Sequence, residues 1–101
     1  MYLQERRYAI SMVARLVDVH PQTLRKYERL GLVVPERTSG NIRQYSDRDI
    51  ERLMFIQRMV SELGVNLAGV EIIMNMRERI LQLHNELEEL RKQHNRLSGN
   101  L

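Results

Sequence analysis

The apolar positions of this chain change their spacing several times, and each change marks an element. From Ile10 to Val17 they fall at 10, 13, 14, 16 and 17, one face of a short helix, with Ser11 as the predicted N-cap. Asp18-Val19-His20 reads as a turn. Pro21 then opens a second helix, because the first helical position needs no N–H and proline's fixed φ is already helical. That helix is predicted to end at about Leu30, with Gly31 in the left-handed conformation and Leu32 as the apolar contact beyond the cap. Two short helices joined by a tight turn form a helix-turn-helix pattern.

The period then shortens. Val33-Val34 before Pro35, and Ile42 to Tyr45, read as two extended runs on either side of the polar turn Thr38-Ser39-Gly40-Asn41, a small hairpin or wing. Ser46 caps a longer helix, with Asp47, Asp49 and Glu51 in its opening turns where the helix dipole favours anions. Ile50, Leu53, Met54, Ile56, Gln57 and Val60 keep helical spacing, and Gly64 ends the element. Asn66 is the predicted cap of a further helix beginning at Leu67, with no strong breaker other than Gly69 before Gly99.

In the tail the repeat becomes heptad. Ile73, Ile80, Leu87 and His94 are seven apart, and Met76, Leu83, Leu90 and Leu97 interleave with them in a 3-4-3-4 pattern. Such a stripe spans about 37 Å on a straight helix, more than the small domain ahead of it can cover, so a partner helix is implied. A break near Met76 to Glu78 would leave the longer piece just as exposed. His94 is the polar member of this seam, placed to set register or make the pairing pH-sensitive. The fold class that emerges is mainly α: a winged helix-turn-helix domain over residues 1–76, then a coiled-coil dimerisation helix over 77–101.

With 101 residues there is room for one hydrophobic core and no second, catalytic domain. Sixteen Lys and Arg stand against thirteen Asp and Glu, but residues 1–60 hold eleven basic and seven acidic residues, while 61–101 hold five and six. The positive excess sits in the helix-turn-helix half and admits an acidic partner such as nucleic acid. The absence of cysteine excludes disulfides, Fe–S clusters and thiolate zinc sites. His20, His84 and His94 never fall three or four residues apart, so no metal is expected, and no cofactor either. Glycine-rich phosphate loops and nucleophile elbows are missing, which argues against an enzyme. No window is apolar enough for a membrane span, and charges occupy Met1 to Tyr8 where a signal peptide is apolar, so a soluble intracellular protein is expected. The six Met, including Met54, Met59, Met74 and Met76, read as core filler.

On the second helix, Gln22, Arg25, Lys26 and Arg29 fall within about 100° of one another while Leu24 points the other way. Arg and Lys donate to guanine O6 and N7, and Gln pairs with adenine N6 and N7, so this face suits the major groove as well as it suits open solvent. Arg37, Asn41 and Arg43 on the wing, with Tyr45 beside them, can meet phosphates on either side of that groove. The rings of Tyr27 and Tyr45 are also expected to cover the small core. A contrasting reading makes the coiled coil the active part of an interaction adaptor and the helix-turn-helix a scaffold. It gives no reason for Arg25, Lys26, Arg29, Arg37 and Arg43 to gather on one edge.

Thr23-Leu24-Arg25-x-Tyr27-Glu28-x-x-Gly31-Leu32, followed by Pro35-x-Arg37 and Arg43-x-Tyr45-Ser46, resembles the DNA-binding region of the MerR family of bacterial transcription regulators. Within that family the stretches HPQTLRKYERLGL and ELGVNLAGVEII are most similar to the HspR group of chaperone-gene repressors, and Gly64 to Gly69 is shared with the GlnR/TnrA nitrogen regulators. The resemblance implies a homodimer, its long helices paired antiparallel, on an inverted-repeat operator in double-stranded DNA. The heptads alone leave orientation open, because Glu86 and Arg91 would pair in a parallel dimer. By position, Gln22, Thr23, Arg25, Lys26 and Tyr27 would meet the major groove and its phosphates, and Arg43 and Tyr45 would hold the backbone. The HspR resemblance also implies a DnaK-type chaperone as co-repressor and a cytoplasmic, nucleoid-associated place in a bacterium. The glutamine-regulator alternative would answer to glutamine synthetase instead. Metal-sensing relatives use cysteines that are absent here.

Overall fold

The computed structural model describes residues 6–99, and the chain divides into two compact units, Met1–Leu67 and Ala68–Leu101. The elements are α1 (Ile10–Val17), α2 (Pro21–Arg29), β1 (Glu36–Arg37), β2 (Arg43–Gln44), α3 (Asp47–Ser61) and α4 (Leu67–Ser98). In the first unit α1 packs against both α2 and α3. The core there consists of Val13, Ala14, Val17, Leu24, Tyr27, Leu32, Val33, Tyr45, Ile50, Leu53, Ile56 and Met59. The fold is mainly helical, a helix-turn-helix with a two-stranded wing.

The first helix spans the predicted residues, but its N-cap is Ala9 rather than Ser11, with no side-chain cap. The reason lies outside the local sequence. Tyr8 forms a two-way backbone bridge with Tyr45, each N–H donating to the other's carbonyl at 2.9 Å, so the chain enters the helix directly from this pairing. Asp18 closes α1 in the left-handed region at φ 59°, a conformation Asp tolerates better than most residues.

At the start of α2 the His20 ring accepts the Gln22 N–H at 3.0 Å, a cap the sequence reading did not assign. Its end matches the prediction. Gly31 has φ 75°, its N–H donates to the Glu28 carbonyl, and the Leu32 N–H reaches back to the Tyr27 carbonyl at 2.9 Å, a Schellman pattern with Leu32 buried beneath it. The Nε of Arg52 on α3 donates to the Leu32 carbonyl, tying this corner to the third helix.

The wing is shorter than expected and begins later. Val33 is core rather than strand, Val34 is exposed, and the ladder pairs Glu36 with Gln44 and Arg37 with Arg43. Its loop is closed by Thr38, whose N–H donates to the Ile42 carbonyl at 2.9 Å and whose Oγ1 accepts the Ile42 N–H at 3.1 Å.

Ser46 and Asp49 make a reciprocal capping box at the start of α3. Of the methionines read as filler, Met59 and Met74 are buried, whereas Met54 and Met76 lie open because they point off the buried face of their helices. In the second unit α4 is one continuous helix, about 48 Å long at about 1.5 Å per residue, with no break at Met76 to Glu78 or at the expected domain boundary after residue 76. Val70 and Met74 are buried, and beyond them the apolar stripe is open. No described helix is long and apolar enough to cross a membrane.

Candidate nucleic-acid interface

The geometry of α2 follows from its amphipathic spacing. Leu24 and Tyr27 are buried at 0% and 4% exposure, which turns Gln22, Lys26 and Arg29 outward and leaves Arg25 and Thr23 half-buried beside them. Among the described residues, Arg25, Lys26 and Arg29 have no carboxylate partner. Their charge is therefore available to an anionic ligand. Tyr27 behaves differently: its ring lies in the core, and that burial raises its hydroxyl above its ordinary pKa.

The wing stands against the C-terminal turn of α2 through one side chain. Glu28 Oε2 accepts from Arg37 Nη2 at 2.8 Å, and Glu28 Oε1 accepts from Arg43 Nε at 2.5 Å. Desolvation alone would raise the Glu28 carboxyl, but hydrogen bonds from Arg43 and then Arg37, with their charges, outweigh it and hold the group below its ordinary value. The other Arg37 nitrogen donates to the Asn41 carbonyl at 3.2 Å, and Asn41 itself sits at the exposed turn with φ 64°. A further pair, Arg7 with Glu36 at 3.3 Å, flanks the first strand.

The structure thus brings Arg37, Asn41 and Arg43 together beside α2, as the spacing suggested, and adds Glu28, which the sequence reading passed over. Two opposed wing cations with no acidic residue in the hairpin tip were the signal that could have pointed to it. Tyr45 departs from the expected phosphate contact. Its side chain is 0% exposed, and its buried hydroxyl has no hydrogen-bond partner among the described residues, so it lies in the core, out of a phosphate's reach. Tyr27 is likewise a packing residue first.

On α4 the seam positions are open: Met76 at 58% exposure, Ile80 at 62%, Leu83 at 47%, Leu87 at 49%, Leu90 at 62% and Leu97 at 77%. His94 is exposed on the same stripe, and Ile73 at its start is half-buried. Among the described residues no group of three or more His, Asp or Glu is placed to hold a metal ion.

A winged helix-turn-helix with an outward basic second helix defines a DNA-binding regulator. The model of the MerR HTH family of regulatory proteins matches residues 8–77, and the chain belongs to that family. That family consists of regulatory proteins built on this helix-turn-helix. The chain is 49% identical over 83 residues to the heat-shock protein HspR of Streptomyces coelicolor, covering 82% of this chain and 50% of that one. To the regulator GlnR of Bacillus anthracis it is 31% identical over 88 residues, covering 84% of this chain and 67% of that one. The chain therefore spans about half the length of HspR. Among solved structures it is similar to HiNmlR, a MerR-family regulator lacking the sensor domain and bound to promoter DNA, with a TM-score of 0.64 at 20% identity over 92% of this chain and 76% of that one.

Proposed function

We propose that this chain is a repressor of heat-shock genes that binds an inverted-repeat operator as a homodimer paired through α4. The observation that carries the reading is the unpaired basic face of α2, with Gln22, Lys26 and Arg29 turned outward, Arg25 half-buried beside them and the wing fixed alongside. Arg25 and Gln22 are suited to base edges, while Lys26, Thr23 and the wing tip at Asn41 meet the backbone. Ile73, Met76, Ile80, Leu83, Leu87, Leu90, His94 and Leu97 form the pairing seam, since an apolar stripe of this length on one helix loses its water contact only against another helix. Pairing joins two half-sites into one ligand and fixes their spacing.

The heat-shock assignment rests on the 49% identity to HspR, and it carries with it a DnaK-type chaperone as co-repressor and a cytoplasmic site of action on the nucleoid. The 31% identity to GlnR favours a second reading, a nitrogen-responsive repressor answering to glutamine synthetase. Fluorescence anisotropy on a chaperone-promoter duplex and a scrambled one, across about 50 to 300 mM salt and with either protein added, tests both. Sequence preference strengthened by the chaperone supports the heat-shock reading, and strengthening by glutamine synthetase supports the other. Equal, salt-insensitive binding to both duplexes would leave the coiled coil as the active part of an adaptor.

A further inference from the structure

Arg37 and Arg43 are directly opposed across the wing ladder. Like charges in that position repel, and a hairpin with two residues in each strand is marginal even with the Thr38–Ile42 hydrogen bonds that close its loop and the Arg7–Glu36 pair on its first strand. The structure resolves the conflict with one carboxylate from another element: Glu28 of α2 gives one oxygen to each guanidinium, at 2.8 and 2.5 Å. All three side chains are largely shielded, at 20% exposure for Glu28, 34% for Arg37 and 24% for Arg43, so water screens the cluster less than it would on an open surface. Glu28 lies on the turn that follows Arg25, so the same residue fixes how far the wing stands from the base-reading face.

We infer that Glu28 is a specificity-determining brace: its carboxylate locks the wing to α2 and keeps the charge of Arg37 and Arg43 engaged within the protein instead of on phosphate. The inference rests on the DNA-binding reading above. A braced wing fits only a duplex whose backbone lies at the fixed distance from the groove that Arg25 reads, and rejects duplexes whose shape does not. A released wing carries two free arginines that adapt to any phosphate.

The test compares wild type, Glu28→Gln and the Arg37→Gln/Arg43→Gln double variant, all as full chains. The probes are a duplex selected from a random pool by the wild type and a scrambled duplex of equal composition. Amide exchange at Thr38 and Ile42, whose N–H groups close the wing loop, is followed without DNA. Glu28→Gln should exchange faster at these amides, bind the scrambled duplex more tightly and with a salt slope steeper by up to about 1.8 per protomer, from about 0.9 for each of two new phosphate contacts, and lose preference for the selected duplex. The double variant should also lose the preference, but with a slope no steeper than wild type, which separates loss of the brace from release of charge. Unchanged wing exchange in Glu28→Gln overturns the brace. Faster exchange with unchanged preference and slope overturns the specificity role. If the wild type selects no duplex, the DNA-binding reading falls and the specificity role with it, while the exchange arm still decides whether Glu28 holds the wing.

Discussion

Replacing Leu83 and Leu87 together with glutamine tests the pairing of α4. These neighbouring seam residues are 47% and 49% exposed, and glutamine has a helix propensity close to that of leucine, so the helix itself should persist. Fully burying a leucine is worth about 1.5–3 kcal/mol, and with roughly half of each side chain still open, pairing gains about 0.7–1.5 kcal/mol per leucine. Two leucines on each of two chains give about 3–6 kcal/mol, which is about 10²- to 10⁴-fold in the dimer Kd. Sedimentation equilibrium over a concentration series reads this directly, with circular dichroism reporting whether helix content is retained. The variant should run as a monomer where the wild type is paired, and should lose tight binding to a two-half-site duplex. A helical variant whose dimer Kd stays within about tenfold of wild type would refute the seam and the area argument with it.

Arg25→Ala should cost about 1–3 kcal/mol per half-site and relax sequence preference in anisotropy titrations, whereas equal loss on selected and random duplexes would remove Arg25 from base reading. Tyr45→Phe removes a buried hydroxyl that has no partner among the described residues, so thermal stability should hold or rise by up to about 1–3 kcal/mol with DNA affinity unchanged. Weaker binding with a flatter salt slope would instead put that hydroxyl on a phosphate. Ser46→Ala breaks the capping box at α3 and should lower stability by about 1 kcal/mol in denaturant titrations, with a neutral result counting against the cap. Because Glu28 titrates below its ordinary value in the fold, its contribution to stability is complete at neutral pH and is lost as the pH falls from the ordinary carboxylate range through that lowered value. Thermal melts of wild type should therefore show an acid-side loss that Glu28→Gln reduces, and parallel pH profiles for the two proteins would contradict the clamp.

What the sequence disclosed was whatever a few adjacent residues decide among themselves. Pro21 and Gly31 bracket α2 because φ restriction and φ freedom act locally, and Ser46 with Asp49 caps α3 within one turn. The open apolar stripe of α4 was legible because a heptad repeats. What stayed hidden depends on partners far along the chain. Tyr8 pairs with Tyr45 and thereby moves the cap of α1 to Ala9, overriding the local preference of Ser11. Glu28 meets arginines nine and fifteen residues away. On a helical projection it lies only about 60° from Arg25, and nothing in that position marks it as the residue that anchors the wing. Tyr45 shows the limit of composition as a guide, since a ring beside basic residues suits a phosphate contact and a core position equally until burial is known.

The distribution of paired and unpaired charge makes helix pairing the natural control point of the proposed repressor. Arg7, Arg37 and Arg43 are engaged by Glu36 and Glu28, so on the proposed reading face the cations left without a carboxylate are Arg25, Lys26 and Arg29. At about 0.9 logarithmic units of salt dependence per phosphate neutralised, three contacts hold a monomer weakly at physiological salt, while a pair doubles the slope and adds the two half-site energies. Occupancy of an operator is then coupled to the dimer equilibrium of α4 by mass action. A protein that covered the open stripe from Met76 to Leu97 on a single chain would compete with the second copy and release the operator. A chaperone acting as co-repressor must do the reverse, so it has to recognise the paired form and bind away from the seam. An α4 peptide added in excess should therefore dissociate the complex with DNA, whereas a true co-repressor should slow that dissociation.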